Sequence, residues 1–208
     1  MLAVFKNVKH KLGVIYRFRY YSVLPPVYTE SFYYSKYPPN SYDMLKYMPT
    51  VDDPKIIEVA HRLDYYRRAH SDKWMAGFLL AFVQQNVKYV HDSEQYQSVE
   101  HWALPINTLK RAEGDCEDSA FLYVALCYHC KLKVISVHVP NHMLAGVALG
   151  NTTLWSKITV GGVQYRLAEP TGFLPIVGMT HKDYSKIYHT AAPDTPTEAF
   201  KQSLMSEP

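Results

Sequence analysis

The chain has 208 residues, 48% of them hydrophobic and 20% charged, with Lys and Arg at 22 against 19 for Asp and Glu. This balance fits an ordinary globular domain and excludes wholesale disorder, collagen and coiled coil. A net charge of only +3 is weaker and less clustered than a nucleic-acid binder usually shows. The basic residues before position 20 (Lys6, Lys9, Lys11, Arg17, Arg19) read as a solvated arm. No apolar run approaches the ~18 residues of a membrane span, so neither nucleic acid nor membrane is expected as a partner. The opening MLAVFKNVKHKLGV lacks the apolar stretch of a secretory signal. Three cysteines, an odd and small number, imply no disulfide framework. The expected place of synthesis is the cytoplasm.

Three segments are expected: a Tyr/Pro-rich arm over 1–50, a domain over 51–190 and a mobile tail over 191–208. Nine of the 18 tyrosines fall between Tyr16 and Tyr47, beside Pro25-Pro26, Pro38-Pro39 and Pro49. Paired prolines block helix and remove ladder donors, so the arm is expected to run extended. Tyrosine supplies a large area with a polar tip, which suits contacts with another chain, a homo-oligomer or the proteins of a particle. Asp53-Pro54 is an N-cap and N1 pair, followed by an apolar stripe at Ile56, Ile57, Ala60, Leu63 and Tyr66. A second helix follows Ser71, with Trp74, Met75, Phe78, Leu79, Phe82 and Val83 at helical spacing. Residues 91–113 read as a loop broken by Pro105 and closed by Gly114.

Asp115 is placed to cap a helix through Phe121, Leu122, Val124, Ala125 and Leu126, apolar on nearly every side and so buried. The period then changes to two. Segments 133–139 and 142–149 flank Pro140-Asn141, and segments 153–160 and 163–169 flank Gly161-Gly162, predicting two consecutive hairpins or meander turns. Helices followed by antiparallel strands spell an α+β fold with helices packed on an antiparallel sheet.

The chemistry concentrates in Gly114-Asp115-Cys116-Glu117-Asp118. With Asp115 as N-cap, Cys116 is the first residue of a buried helix, among unpaired N–H groups at the positive end of the dipole. That favours the nucleophilic thiolate, whereas Glu117 and Asp118 oppose it, so a general base is required. His142 opens a strand 26 residues after Cys116 and is the candidate base, and Glu169 ends another strand as the candidate orienting acid. An acyl-transfer site also needs oxyanion donors. The Cys116 backbone N–H is one. The competing metal reading is Cys127-x2-Cys130 with His138-x3-His142, which has the ligand types of a zinc site. Its pairs are only seven residues apart, and Cys127 falls on the same helix face as Cys116, at an ordinary core position. No cofactor or metal is therefore expected, and His129 and His138 read as exposed or structural.

These blocks (GDCEDSAFLYVAL, VPNHMLAGVAL and YRLAEPTG, with the lead-in FVQQNVKYVHD to LPINTLKRAEGDCED) resemble the transglutaminase-like superfamily of papain-like folds, especially its short archaeal, bacterial and phage members. The resemblance covers roughly residues 75–175. It implies a papain-like core in which Cys116 is nucleophile, His142 base and Glu169 orienting acid; related folds add a Gln or Trp oxyanion donor from upstream, which here suggests Gln84, Gln85 or Trp102, with Gln84 favoured by its place in the FVQ stretch. Glu169 stands where many members have Asp, and Asn107 where Glu is common. The implied function is a cysteine hydrolase, a peptidase or amidase acting on a protein or peptide through a thioacyl intermediate; an amine acceptor would make it a cross-linking transferase. The alternative is a structural or assembly protein of a phage particle that keeps the fold, favoured by the Tyr/Pro arm and opposed by the intact Cys-His-Glu set.

Overall fold

The computed structural model describes residues 4–9, 15–20, 41–50, 53–67, 70–95, 101–150, 156–181, 184, 186–197 and 200. It divides into two units, 1–31 and 32–208. In the first, strands β1 (Val4–Lys9) and β2 (Ile15–Tyr20) pair antiparallel, Val4 opposite Tyr20 and Lys9 opposite Ile15.

The second unit begins its described structure with α1 (Ser41–Tyr47) and a 3-10 turn, Met48–Thr50. This corrects the extended arm expected as far as residue 50. Met44, Leu45 and Met48 are buried to 2% exposure or less, so this segment belongs to the domain's own core. Pro49 does not prevent this, because it sits in a 3-10 turn after the α-helix has ended. Residues 21–40, which hold the Pro25-Pro26 and Pro38-Pro39 pairs, lie outside the described residues.

Helix α2 (Pro54–Asp64) starts as its sequence predicts, the Asp53 side chain accepting from the Lys55 N–H at 2.7 Å and Ile56, Ala60 and Leu63 buried. Helix α3 (Asp72–Asn86) is capped by Ser71, which accepts from Trp74. The stretch expected to be loop carries more structure. Strand β3 (Lys88–Tyr89) pairs parallel with β4 (Glu113–Gly114). Between them lie α4 (Asp92–Gln95) and α5 (Pro105–Arg111). Pro105 opens α5 rather than breaking a loop: at the first helical position its missing N–H costs nothing.

Helix α6 (Cys116–His129) is the centre of the domain. Phe121 to Cys127 are all fully buried, and the Tyr123 hydroxyl donates to the Ala76 carbonyl of α3 at 3.1 Å. Helices α2, α3 and α5 pack around it, and its remaining side meets the sheet. Both expected hairpins form: β5 (Val134–Val139) with β6 (His142–Val147), and β7 (Lys157–Val160) with β8 (Val163–Ala168). Asn141, Gly161 and Gly162 take the positive φ angles that these tight turns require. The chain does not meander, because the second hairpin docks through β8 onto β6. A short β9 (His189–Ala191) adds to β5, giving the all-antiparallel order β7-β8-β6-β5-β9. The fold is α+β, helices packed on an antiparallel sheet, as the periodicities predict.

The start of the expected mobile tail is held in place: Ala191 is buried in β9, and Asp194 pairs with Lys46 at 2.9 Å and accepts on its carbonyl from Thr50 Oγ1. Among the described residues no helix is long and apolar enough to cross a membrane.

Candidate active site

Cys116 is the first residue of α6, and the segment before it shows why the sequence reads Gly-Asp-Cys-Glu-Asp. A Cβ on Gly114 would lie 2.7 Å from Asp118 Cβ and 2.9 Å from its Oδ2, so only glycine admits the Asp118 carboxyl here. Asp118, fully buried, accepts from the Ala103 N–H at 2.7 Å and from the Asp115 backbone N–H. It thus supplies the returning half of a capping box and ties the 101–104 segment to the helix start. The other half is missing, since Asp115 occupies the N-cap position without a side-chain cap bond.

Three further carboxyl groups crowd this end. Asp92, Asp115 and Glu117 are 3%, 8% and 4% exposed. Burial is the first cause that holds Glu117 and Asp118 well above the usual carboxylate range, with the charge of Asp115 next. The Cys116 thiol donates to Glu117 Oε2 at 3.0 Å. Burial drives this thiol far above its ordinary value; Glu117 and then Asp115 add to the rise, while a hydrogen bond from the Met143 backbone opposes it. The helix dipole does not win here. Burial and the neighbouring carboxyls thus favour the protonated thiol over the thiolate.

The base candidate sits at the first position of β6, set there by the Pro140-Asn141 turn. His142 Nε2 lies 2.8 Å from Glu169 Oε1. Its ring stacks on Tyr184 at 5.8 Å between centroids and 17° between planes. Glu169 follows β8 and is 2% exposed; Oε1 also accepts from Thr171 Oγ1 at 2.8 Å. His181 Nδ1 approaches Oε2 at 3.3 Å. Cys116 and His142 line one cleft of about 470 Å³, together with Trp102, His138, Asp115 and Glu117.

Gln84 is a correction. Its amide nitrogen donates to the Glu169 carbonyl at 2.9 Å and to the Leu174 carbonyl at 3.2 Å, so both hydrogens are committed to backbone. An amide with no remaining N–H cannot stabilise an oxyanion. Gln84 instead fixes the loop that carries Glu169. Of the three upstream candidates, Trp102 lines the cleft and Gln84 and Gln85 do not. The zinc alternative is not assembled either. Cys127 is fully buried, Cys130 Sγ donates to the Ala60 carbonyl at 3.4 Å, and His142 is engaged with Glu169. His138 is half-buried at the cleft, in ring contact with Trp102, Tyr188 and His189.

Sequence reasoning missed Thr171, His181 and Asp92. Thr171 sits two residues past Glu169, a spacing at which a hydroxyl can reach a carboxylate; the other two reach the site only through tertiary folding. Among the described residues, three sets of donor atoms lie within 4.8 Å of one another and could hold a metal: His142 with Glu169 and His181, Asp115 with Cys116 and Glu117, and Asp92 with Asp115 and Asp118.

No family model matches the chain and no curated protein matches it. Among solved structures it is similar to a protein of Cytophaga hutchinsonii named a "Putative Cysteine Protease", with a TM-score of 0.34 and 17% identity over 73% of this chain. The match spans 61% of that protein's chain.

Proposed function

We propose that the protein is a transglutaminase-like cysteine hydrolase, a peptidase or amidase with Cys116 as nucleophile, His142 as general base and Glu169 as the acid that orients it. One observation carries the reading: His142, on the cleft that it shares with Cys116, has its Nε2 committed to the buried Glu169 at 2.8 Å. That leaves Nδ1 as the nitrogen able to exchange a proton with the thiol. A carboxylate on the far side of the imidazole fixes tautomer and plane and stabilises the imidazolium that forms.

The proposed order of events takes into account that burial and the neighbouring carboxyls favour the protonated thiol. Sγ attacks the amide carbonyl as Nδ1 takes the thiol proton, so nucleophile formation and attack are coupled rather than preceded by a stable ion pair. The backbone N–H of Cys116, one of the unpaired donors of the first helical turn, receives the developing oxyanion. The imidazolium then protonates the departing amine, leaving a thioester. Water, deprotonated by His142, cleaves the thioester to acid and free thiol. The substrate is a protein or peptide amide.

The test is incubation of the protein, and of its Cys116→Ala variant, with a mixed peptide library read by mass spectrometry. The expected result is new peptide termini from the unmodified protein alone, and a thioester adduct on Cys116 in quenched samples. Identical product sets from both proteins would overturn the assignment.

A further inference from the structure

The two oxygens of Glu169 are used unequally. Oε1 receives Thr171 Oγ1 and faces His142 Nε2, each at 2.8 Å. Oε2 is buried and has no hydrogen-bond donor among the described residues; the imidazole of His181 stands 3.3 Å away. An acid that only oriented His142 would need neither that bare oxygen nor a second histidine beside it. A buried carboxylate oxygen without a donor is costly and calls for an explanation.

We propose that His142 Nε2, Glu169 and His181 Nδ1 form a binding site for a divalent transition-metal ion of the zinc type. The donor atoms already lie within 4.8 Å of one another. Ligands about 2.0–2.2 Å from a tetrahedral ion sit roughly 3.4 Å apart; here His142 Nε2 is 2.8 Å from Glu169 Oε1 and His181 Nδ1 is 3.3 Å from Oε2, so one carboxylate faces both imidazoles at close to ligand spacing. Two imidazoles and one carboxylate select zinc, cobalt or nickel over calcium or magnesium, which prefer all-oxygen shells. The site has an entrance, since the His181 side chain is 47% exposed while that of Glu169 is 3% exposed. It also has outer support of the kind that fixes metal ligands. Thr171 bonds the carboxylate, Tyr184 stacks on His142, and Gln84 holds the Glu169 carbonyl. The site shares His142 with the CxxC alternative and neither of its cysteines.

The consequence rests on the function proposed above; the binding does not. With the ion on Nε2, the proton of a neutral imidazole resides on Nδ1, which then donates and cannot accept the thiol proton. Bound metal would hold the hydrolase off, and its removal would restore it.

The experiment is calorimetric titration of Zn2+ into the full chain carrying Cys116→Ser, which removes the thiol as a competing ligand, and into the same protein with His181→Asn added. Co2+ absorption serves as a second probe of the ligand set. The expected result is one ion per Cys116→Ser chain, with affinity reduced at least about tenfold by His181→Asn and circular dichroism unchanged. Equal affinity with and without His181 would overturn the proposal, as would the absence of saturable binding. Zinc bound by the unsubstituted chain and lost in Cys116→Ser would also overturn it, by assigning the ion to the thiol. A chain that binds zinc through His181 yet cleaves no peptide would sink the hydrolase and leave the metal site standing; cleavage without zinc binding would do the reverse.

Discussion

Two regions meet at the cleft, and they treat buried charge in opposite ways. At the start of α6, four carboxyl groups (Asp92, Asp115, Glu117, Asp118) are buried, and among the described residues no Lys or Arg lines the cleft beside them. Burial, and then the charge of Asp115, hold Glu117 and Asp118 well above the usual carboxylate range, and the neighbouring thiol is driven up with them. Where β6 begins and β8 ends, a single carboxylate, Glu169, is as deeply buried but lies between two imidazoles and a threonine hydroxyl. Burial among like charges raises a carboxyl's affinity for its proton, whereas burial against an imidazole fixes an orientation. The proposed nucleophile, Cys116, sits on the acidic side, and the proposed proton acceptor, His142, on the other.

Both regions rest on a shared support, and removing that support gives the largest expected effect. Leu45 and Met48 are fully buried, the Leu45 carbonyl accepts from Ser136 Oγ of β5 at 3.0 Å, and the 3-10 turn packs on α6. Burying each such side chain contributes about 1.5–3 kcal/mol, and three of them (Met44, Leu45, Met48) approach the whole stability of a typical domain, about 5–15 kcal/mol. Deleting residues 1–50 is expected to unfold the protein, while deleting residues 1–31 leaves a cooperative thermal transition. A folded, reactive product of the longer deletion would show that α1 is not part of the core that carries the site.

Next in size is the pair of strand ends that carries His142 and Glu169. His142→Ala removes the proposed proton acceptor and is expected to lower turnover by roughly two to four orders of magnitude with the fold retained. Glu169→Gln is expected to cost less, because an amide oxygen can still accept from Nε2–H while the charge that stabilises the imidazolium is lost. Rates for the two variants on one peptide decide it. Near-normal turnover of a well-folded His142→Ala protein would remove this histidine from the mechanism.

Gln84→Ala tests the same strand ends from behind. It strips the donor from two carbonyls, Glu169 and Leu174, each bond worth about 0.5–1.5 kcal/mol, with more lost where the carbonyl stays dry. A lower melting temperature is expected, with a fall in kcat smaller than that of Glu169→Gln. A kcat loss as deep as that of His142→Ala, with stability unchanged, would return Gln84 to the oxyanion.

The residues that were legible in the sequence are those whose role is local. Cys116 could be placed at a helix start because a capped start is a pattern of adjacent residues, and His142 and Glu169 at strand ends because a period of two marks them. The α1 segment was misread because nearby prolines argue against helix, and nothing local reveals that Met44, Leu45 and Met48 meet a core made by residues 75 to 145. Pro105 carried two meanings, breaker and N1 residue, and only the packing of Ile106 and Leu109 selects the second. Gln84 was placed near the site but given the wrong task, because its partners, Glu169 and Leu174, lie 85 and 90 residues away. His181 has no motif at all.

The smallest expected effect addresses the helix start and turns on the sign of one shift. Alkylation by iodoacetamide requires thiolate. The Cys116 thiol is held far above its ordinary value, so its thiolate fraction should keep rising about tenfold for each pH unit through neutrality and past the usual thiol range near 8.5, with no plateau there. Cys130, pushed up to about 12 by burial, and Cys127, also raised by burial, are 1% and 0% exposed. Access therefore favours Cys116, and mass spectrometry of partially labelled protein is expected to find the label there first, slowly. Glu117→Gln replaces the carboxyl that both accepts the thiol proton and repels the thiolate, while its amide can donate to sulfur instead. It should lower the Cys116 value and speed labelling at fixed pH, by up to roughly tenfold for each unit recovered. A variant that labels no faster would show that desolvation alone holds the thiol, and that the acidic side of the cleft is spectator to the chemistry. A plateau below pH 8 in the unsubstituted protein would mean the opposite of the geometry described: a thiolate already formed at rest, with His142 as its counter-ion.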